Sequence, residues 1–273
     1  MEKNLRRIKS LKILISVMII IILVLLYFIY MLYNKNNDLN LVNKELNLRY
    51  KKIDDRFKSK YTYDKNISDK LEKLDLDGIT KLMIVAHPDD ESIFGGYHLM
   101  EHGKEYLVVC VTCQPNSERE QEFKKALDSY GAKYLSLAYI DSNSSGVSDW
   151  GGKIRYEIYR SLEEIIGYKN WELIITHNPD GEYSHWHHKM CSTIVRDISM
   201  SMKLYDNLYY FGKYMEISEA KNSKSEKIPE ESLLKKEKII YSSYLTQYWA
   251  AKNLEHIFPY ENWIKATDWT DDK

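Results

Sequence analysis

From residue 81 onward, short apolar runs alternate with stretches whose apolar positions recur at helical spacing. The runs at 82–85, 106–111, 134–140 and 173–176 read as buried strands, and the intervening stretches at 91–102, 118–130, 153–166 and 187–200 read as helices. Such alternation predicts an α/β domain over residues 81–273, a Rossmann-like parallel sheet with helices on both faces. Residues 205–211 are expected to add a strand, the charge-rich 216–238 to form a surface excursion, and 246–257 to form a closing helix.

The first eighty residues follow another pattern. Residues 13–33 are apolar all round, with no amphipathic spacing, and as a helix they would extend roughly 30 Å, enough to span a bilayer. A cleavable signal peptide would have a shorter apolar region and a small-residue cleavage site, so the stretch is read as an uncleaved transmembrane anchor. The basic flank at 1–12 carries Lys3, Arg6, Arg7, Lys9 and Lys12, whereas the fifteen residues after the anchor contain only Lys35 and Lys44. This bias places the N-terminus in the cytoplasm and the main domain, in a single-pass protein, outside it. Residues 34–80 read as a stalk or linker, helical where Leu39, Val42, Leu46, Ile53 and Phe57 are spaced along it.

Composition narrows this picture only slightly. With 273 residues, 44% of them hydrophobic, and five prolines, the chain has room for one domain and an appendage. A formal net charge of -1 leaves no nucleic-acid signature. Cys110, Cys113 and Cys191 do not form a disulfide framework and read as core thiols.

The chemistry is concentrated at two strand ends. The run 81–85 leads into Ala86-His87-Pro88-Asp89-Asp90-Glu91, and the run 173–176 leads into a stretch that closes on Tyr183-Ser184-His185-Trp186-His187-His188. In open α/β sheets the carboxyl ends of strands form the ligand crevice. His87, Asp90 and His188 offer two imidazoles and a carboxylate, a catalytic-type zinc set that keeps a position for water, and iron(II) or cobalt would also fit it. Asp89 is left as a general base. The competing reading is that these residues only build a turn and cap a helix, which Asp does well. Gly95 and Gly96 lack the dinucleotide-binding spacing and are expected to let the first helix pack closely on the sheet.

The two clusters together resemble the PIG-L/LmbE family of metal-dependent N-deacetylases, over roughly residues 80–255. That resemblance implies hydrolysis of the N-acetyl group of an N-acetylated amino sugar, in a glycan or a glycolipid, with Asp89 as base and Asp90 as ligand. It further implies that His185 stabilises the tetrahedral oxyanion and that His188 is the third ligand. Arg119 with Glu122 resembles a family pair in which the Arg contacts substrate and the Glu is structural, although a solvated helix end would look the same. Asp141 matches a pocket-bordering Asp, or is a turn residue. Many relatives carry Asp at the position of His187, where it is thought to orient the oxyanion histidine. Here either Asp180 or Glu182 would supply that contact, or His185 titrates differently. His187 itself is expected to face solvent, His177 to be structural, and His98, His102 and His256 to lie outside the site. An amidase acting on a sugar–thiol conjugate, a non-catalytic surface sugar-binding module and a nucleotide-sugar transferase are the alternatives.

Overall fold

The computed structural model describes residues 66–143, 146–147 and 150–270, together with scattered helical positions between 18 and 35. Two compact units are distinguished, Met1–Tyr61 and Thr62–Lys273. Among the described residues no helix is long and apolar enough to cross a membrane. The basic flank, most of the stretch 13–33 expected to be an anchor and the greater part of the expected stalk fall outside the described residues.

Within the second unit, β1 (Lys81–Val85) is the centre of the sheet because Leu82 to Val85 are apolar on both faces and fully buried. It pairs in parallel with β2 (Tyr106–Cys110) on one side and β6 (Leu173–Thr176) on the other. With β3 (Lys133–Ser136), β7 (Leu208–Tyr210) and β8 (Ile264–Lys265), the order is β3-β2-β1-β6-β7-β8. A two-residue hairpin, β4 (Ser142–Asn143) with β5 (Gly146–Val147), stands apart from this sheet. The chain winds outward from β1 in one direction and then returns to wind outward in the other. That makes the carboxyl ends of β1 and β6 the topological switch point.

Successive β1 residues point to opposite faces, as strand geometry requires. Leu82 and Ile84 join a core with α1 (Ile67–Glu72), α4 (Gly152–Ile166) and α5 (Trp186–Ser201). Met83 and Val85 join the other core, with α2 (Asp90–His102), α3 (Glu118–Tyr130) and α7 (Glu230–Ser243). Ile67 and Leu71 of α1 are buried in the first core, so packing reaches back into the stretch read as linker. The three cysteines are buried and free, as expected. Gly95 also sits at a close approach of α2 to β1, since a Cβ there would lie 2.7 Å from Met83 Cε and 3.2 Å from Trp263 Cζ2.

Several expectations need correction. The sheet is not wholly parallel, since β8 pairs antiparallel with β7. Strand β3 stops at Ser136 rather than 140, and 205–211 is a 3-10 turn, Tyr205–Asn207, followed by the short β7. The closing helix is α8 (Tyr248–Asn253), followed by a 3-10 turn at Glu255–Ile257. The charge-rich 216–238 lies mostly at the surface, as expected, but contains α6 (Ile217–Asn222) and most of α7, a helix packed on α2 and α3. Lys236 of α7 is fully buried, and its Nζ donates to Ile93 O (2.8 Å), Phe258 O (3.0 Å) and Glu261 Oε1 (2.7 Å). Glu261 in turn accepts from the backbone N–H groups of Tyr97 (2.7 Å) and His98 (3.1 Å), in the middle of α2. The usual acceptors of those two groups, the carbonyls of Ile93 and Phe94, take Lys236 Nζ and the Trp263 indole N–H (3.0 Å). Side chains from the C-terminal region are thus hydrogen-bonded into the ladder of the helix that carries the acidic cluster.

Candidate active site

Strand β1 ends before His87-Pro88, and α2 starts at Asp90, which leaves Asp89 at the joint with φ 123°. The Asp89 carbonyl accepts from the N–H groups of Ser92 (3.0 Å) and Ile93 (2.9 Å), and its own N–H donates to Glu91 Oε2 (3.2 Å). The Asp89 carboxylate makes no capping bond to the helix, contrary to the plain cap reading. Asp90 turns back, and its Oδ2 accepts the His87 N–H at 2.8 Å.

The second loop leaves β6 through His177 and Asn178 and turns at Gly181. Gly181 has φ 67°, and a Cβ there would meet His185 O at 2.6 Å, so the turn requires glycine. His185 is the N-cap of α5, with its Nδ1 accepting from His187 N–H at 3.3 Å. His188, one turn along, is fully buried.

The two loops meet. His87 Nδ1 lies 3.2 Å from Asp90 Oδ2 and 3.3 Å from His188 Nε2, and His188 Nε2 lies 3.4 Å from Asp90 Oδ1. Ligands held 2.0–2.1 Å from a tetrahedral ion are about 3.3 Å apart, so His87 Nδ1 and His188 Nε2 are spaced for a shared divalent cation, with Asp90 turning a different oxygen to each. The outer partners agree with that fit. His188 Nδ1 faces the Glu182 carboxylate at 2.6 Å, and His87 Nε2 faces His187 Nδ1 at 3.0 Å and Asp141 Oδ1 at 3.4 Å. With each outer nitrogen engaged as a donor, the inner lone pairs converge with a carboxylate, an arrangement that a cation relieves. His185 is near enough to join His87 and His188 in such a set.

Electrostatics separates the two aspartates. Burial and the neighbouring Asp90 raise Asp89 well above the usual carboxylate range. Burial opposes the charge on Asp90 as well, but His188 and His177 outweigh it and hold Asp90 well below that range. Burial and the facing His188 and His87 lower His185 to about 3, which keeps its ring neutral. With Nδ1 accepting from His187, the proton of neutral His185 sits on Nε2.

His87, Asp89, Asp90, Arg119, Asp141 and His185 line one cavity of about 170 Å³, and His188 lies buried beside His87. Arg119 and Asp141 are paired with each other at 2.6 Å, and Arg119 Nη2 also reaches Pro88 O at 3.3 Å. Glu122 accepts the N–H (2.7 Å) and hydroxyl (2.6 Å) of Thr246, the structural role expected of it. His98, His102 and His256 bond to Glu261, Glu105 and Met215 O and take no part in the cluster.

One histidine and one glutamate differ from expectation. His187 is buried rather than solvent-facing, stacked on Trp150 with ring centroids 4.0 Å apart. Glu182 does not serve His185; its carboxylate bonds His188 Nδ1 and His177 Nδ1 (3.0 Å). His177 Nε2 accepts the Ala86 N–H at 3.0 Å, which ties the two loops together through one ring. Nothing in residue spacing separates this Glu182–His177 pair from ordinary turn residues.

Comparison with known proteins bears on the same loops. Residues 82–199 match the profile of the PIG-L family, described as GlcNAc-PI de-N-acetylase. An uncharacterized protein of Acanthamoeba polyphaga mimivirus is 33% identical over 147 residues, 48% of this chain and 60% of that relative, so the match leaves well over a third of the relative uncovered. Among solved structures, N,N'-diacetylchitobiose deacetylase from Pyrococcus horikoshii, complexed with an inhibitor, aligns with a TM-score of 0.46 and 14% identity over 74% of this chain and 91% of that one. The matched span 82–199 runs from the second residue of β1 into the last turn of α5 and so contains both loops of the cluster; these residues form a PIG-L domain.

Proposed function

We propose that the chain is a membrane-anchored, metal-dependent N-deacetylase. It removes the acetyl group from an N-acetylated amino sugar, a glycan or glycolipid of N-acetylglucosamine type, and gives a free amine and acetate. The observation that carries this reading is the convergence of His87, Asp90 and His188, with the Asp89 carboxylate beside them making no capping bond to the helix. A divalent cation, zinc by the donor set, would acidify a water and polarise the amide carbonyl.

The protein groups divide the remaining work. Asp89, whose pKa is raised by burial and by the neighbouring Asp90, takes the proton of the attacking water and delivers it to the leaving nitrogen. Neutral His185 presents its Nε2–H to the oxygen that gains charge as the carbon becomes tetrahedral. Glu182 fixes the ring of His188, and His187 with Asp141 fixes that of His87. The Arg119–Asp141 pair at the rim presents charged groups to sugar hydroxyls. The apolar stretch at 13–33 anchors the chain, with the catalytic domain on the extracytoplasmic side.

The test is acetate release from a panel of N-acetylglucosamine glycans and glycolipids by the metal-loaded protein. Asp89→Ala is expected to lower turnover by at least about a hundredfold while leaving metal content unchanged. Activity retained by that variant would reject the role assigned to Asp89.

A further inference from the structure

A second cavity of about 320 Å³ opens beside the catalytic one. Its lining includes Phe94, Tyr214, Tyr260 and Trp263, with Asn262 and Ser225 among the polar groups. Both cavities lie at the same edge of the sheet. The catalytic loops leave the carboxyl ends of β1 and β6, whereas Gly212 and Tyr214 follow the carboxyl end of β7, the next strand over. Asn178, after β6, donates to Gly212 O at 2.9 Å and joins the two loops.

Residues lining the two cavities touch one another. Tyr183, 41% exposed at the lip of the catalytic cavity, meets Tyr214 of the second cavity edge-on, with ring centroids 6.0 Å apart. Phe94, on the second cavity's side, meets the ring of His188 at 6.2 Å. Leu254 of the catalytic cavity accepts the N–H of Ile257, which lines the other, at 3.0 Å.

The chemistry of the second cavity is amphipathic. Aromatic faces suit the C–H face of a pyranose, and the amide of Asn262 and hydroxyl of Ser225 suit its hydroxyl edge. Its volume lies within the range of small-molecule sites, roughly 300–1,000 Å³. One face of Trp263 is already covered by the ring of His98, at 3.7 Å, and its indole N–H is held by Phe94 O, so the platform is rigid before any ligand arrives.

We propose that this cavity is a second saccharide subsite, which holds the ring next to the one whose acetamide enters the catalytic cavity, so that the preferred substrate is an oligosaccharide. The inference rests on the deacetylase reading for its direction. It would be tested on the metal-loaded full-length protein by measuring acetate release from N-acetylglucosamine and from its β-1,4-linked di- and trisaccharides. The oligosaccharides are expected to show kcat/KM about tenfold higher or more, the worth of one well-placed aromatic contact. Ser225→Trp, which fills the cavity from an exposed loop, and Tyr260→Ala are each expected to bring that ratio close to one. Equal kcat/KM for all three sugars in the wild type, or an unchanged ratio in both variants, would overturn the subsite. Acetate release from no sugar would instead refute the deacetylase reading. In that case calorimetric titration with the trisaccharide decides the subsite, which stands if the wild type binds and Ser225→Trp does not, and falls if neither binds or both do.

Discussion

Asp89 occupies a backbone region that residues other than glycine avoid, and such a conformation costs about 1–3 kcal/mol unless its surroundings enforce it. Enforcement comes from Glu91, which accepts the Asp89 N–H, and from the first turn of α2, which binds its carbonyl. Glu182 does comparable work for the other loop. Burial opposes its charge, but His177 and His188 outweigh that and bring it to about 2, against an ordinary 4.5. Because the folded value lies below the unfolded one, its stabilisation is complete above pH 4.5 and is lost as pH falls from there towards 2. In denaturant titrations of the metal-free protein, Glu182→Gln is therefore expected to remove up to about 3 kcal/mol at pH 7, a difference that shrinks below pH 4.5. The ring of His187 faces His87 Nε2 from a stack on Trp150. His187→Ala is expected to weaken zinc affinity by about 10- to 100-fold in a competition titration, because the orientation of His87 is lost.

Helix α2 is the element on which the site depends, and the C-terminal region holds it in place. Lys236→Met would leave Glu261 buried without its cation and the Ile93 carbonyl without its Nζ donor, at an expected cost of about 3–5 kcal/mol in urea unfolding. Lys235→Met is the control, since Lys235 is paired only with exposed Glu231, and no measurable loss is expected. Sequence reading found β1, β2, β6 and helices α2 to α5 because each is long or apolar enough for burial to dictate its period, and it found the His-Pro-Asp-Asp turn because those residue types seldom share a strand end. It missed the burial of Lys236 within the charge-rich 216–238 because charge normally signals solvent, whereas the partners that reverse the signal lie 25 and 143 positions away. The Glu182–His177 pair was hidden for a related reason. Its purpose depends on β6 lying beside β1, which brings His177 Nε2 to the Ala86 N–H across 91 positions.

At the scale of the whole molecule the two units are expected to have separable tasks. Deleting residues 1–33 should move the protein from the membrane pellet to the supernatant and leave acetate release per molecule unchanged; a shortened chain that still pellets would refute the anchor at 13–33. Within the second unit, the contacts that fix α2 join residues far apart along the chain. Ile93 waits for Lys236, Glu91 for Tyr244 and Tyr97 for Glu261, across 143, 153 and 164 positions. Because a chain emerges from the ribosome N-terminus first, the acidic turn is made long before the residues that hold it in register. A nascent polypeptide would then carry every donor of the cation cluster yet remain inert, and hydrolysis would begin only once the later helices had docked.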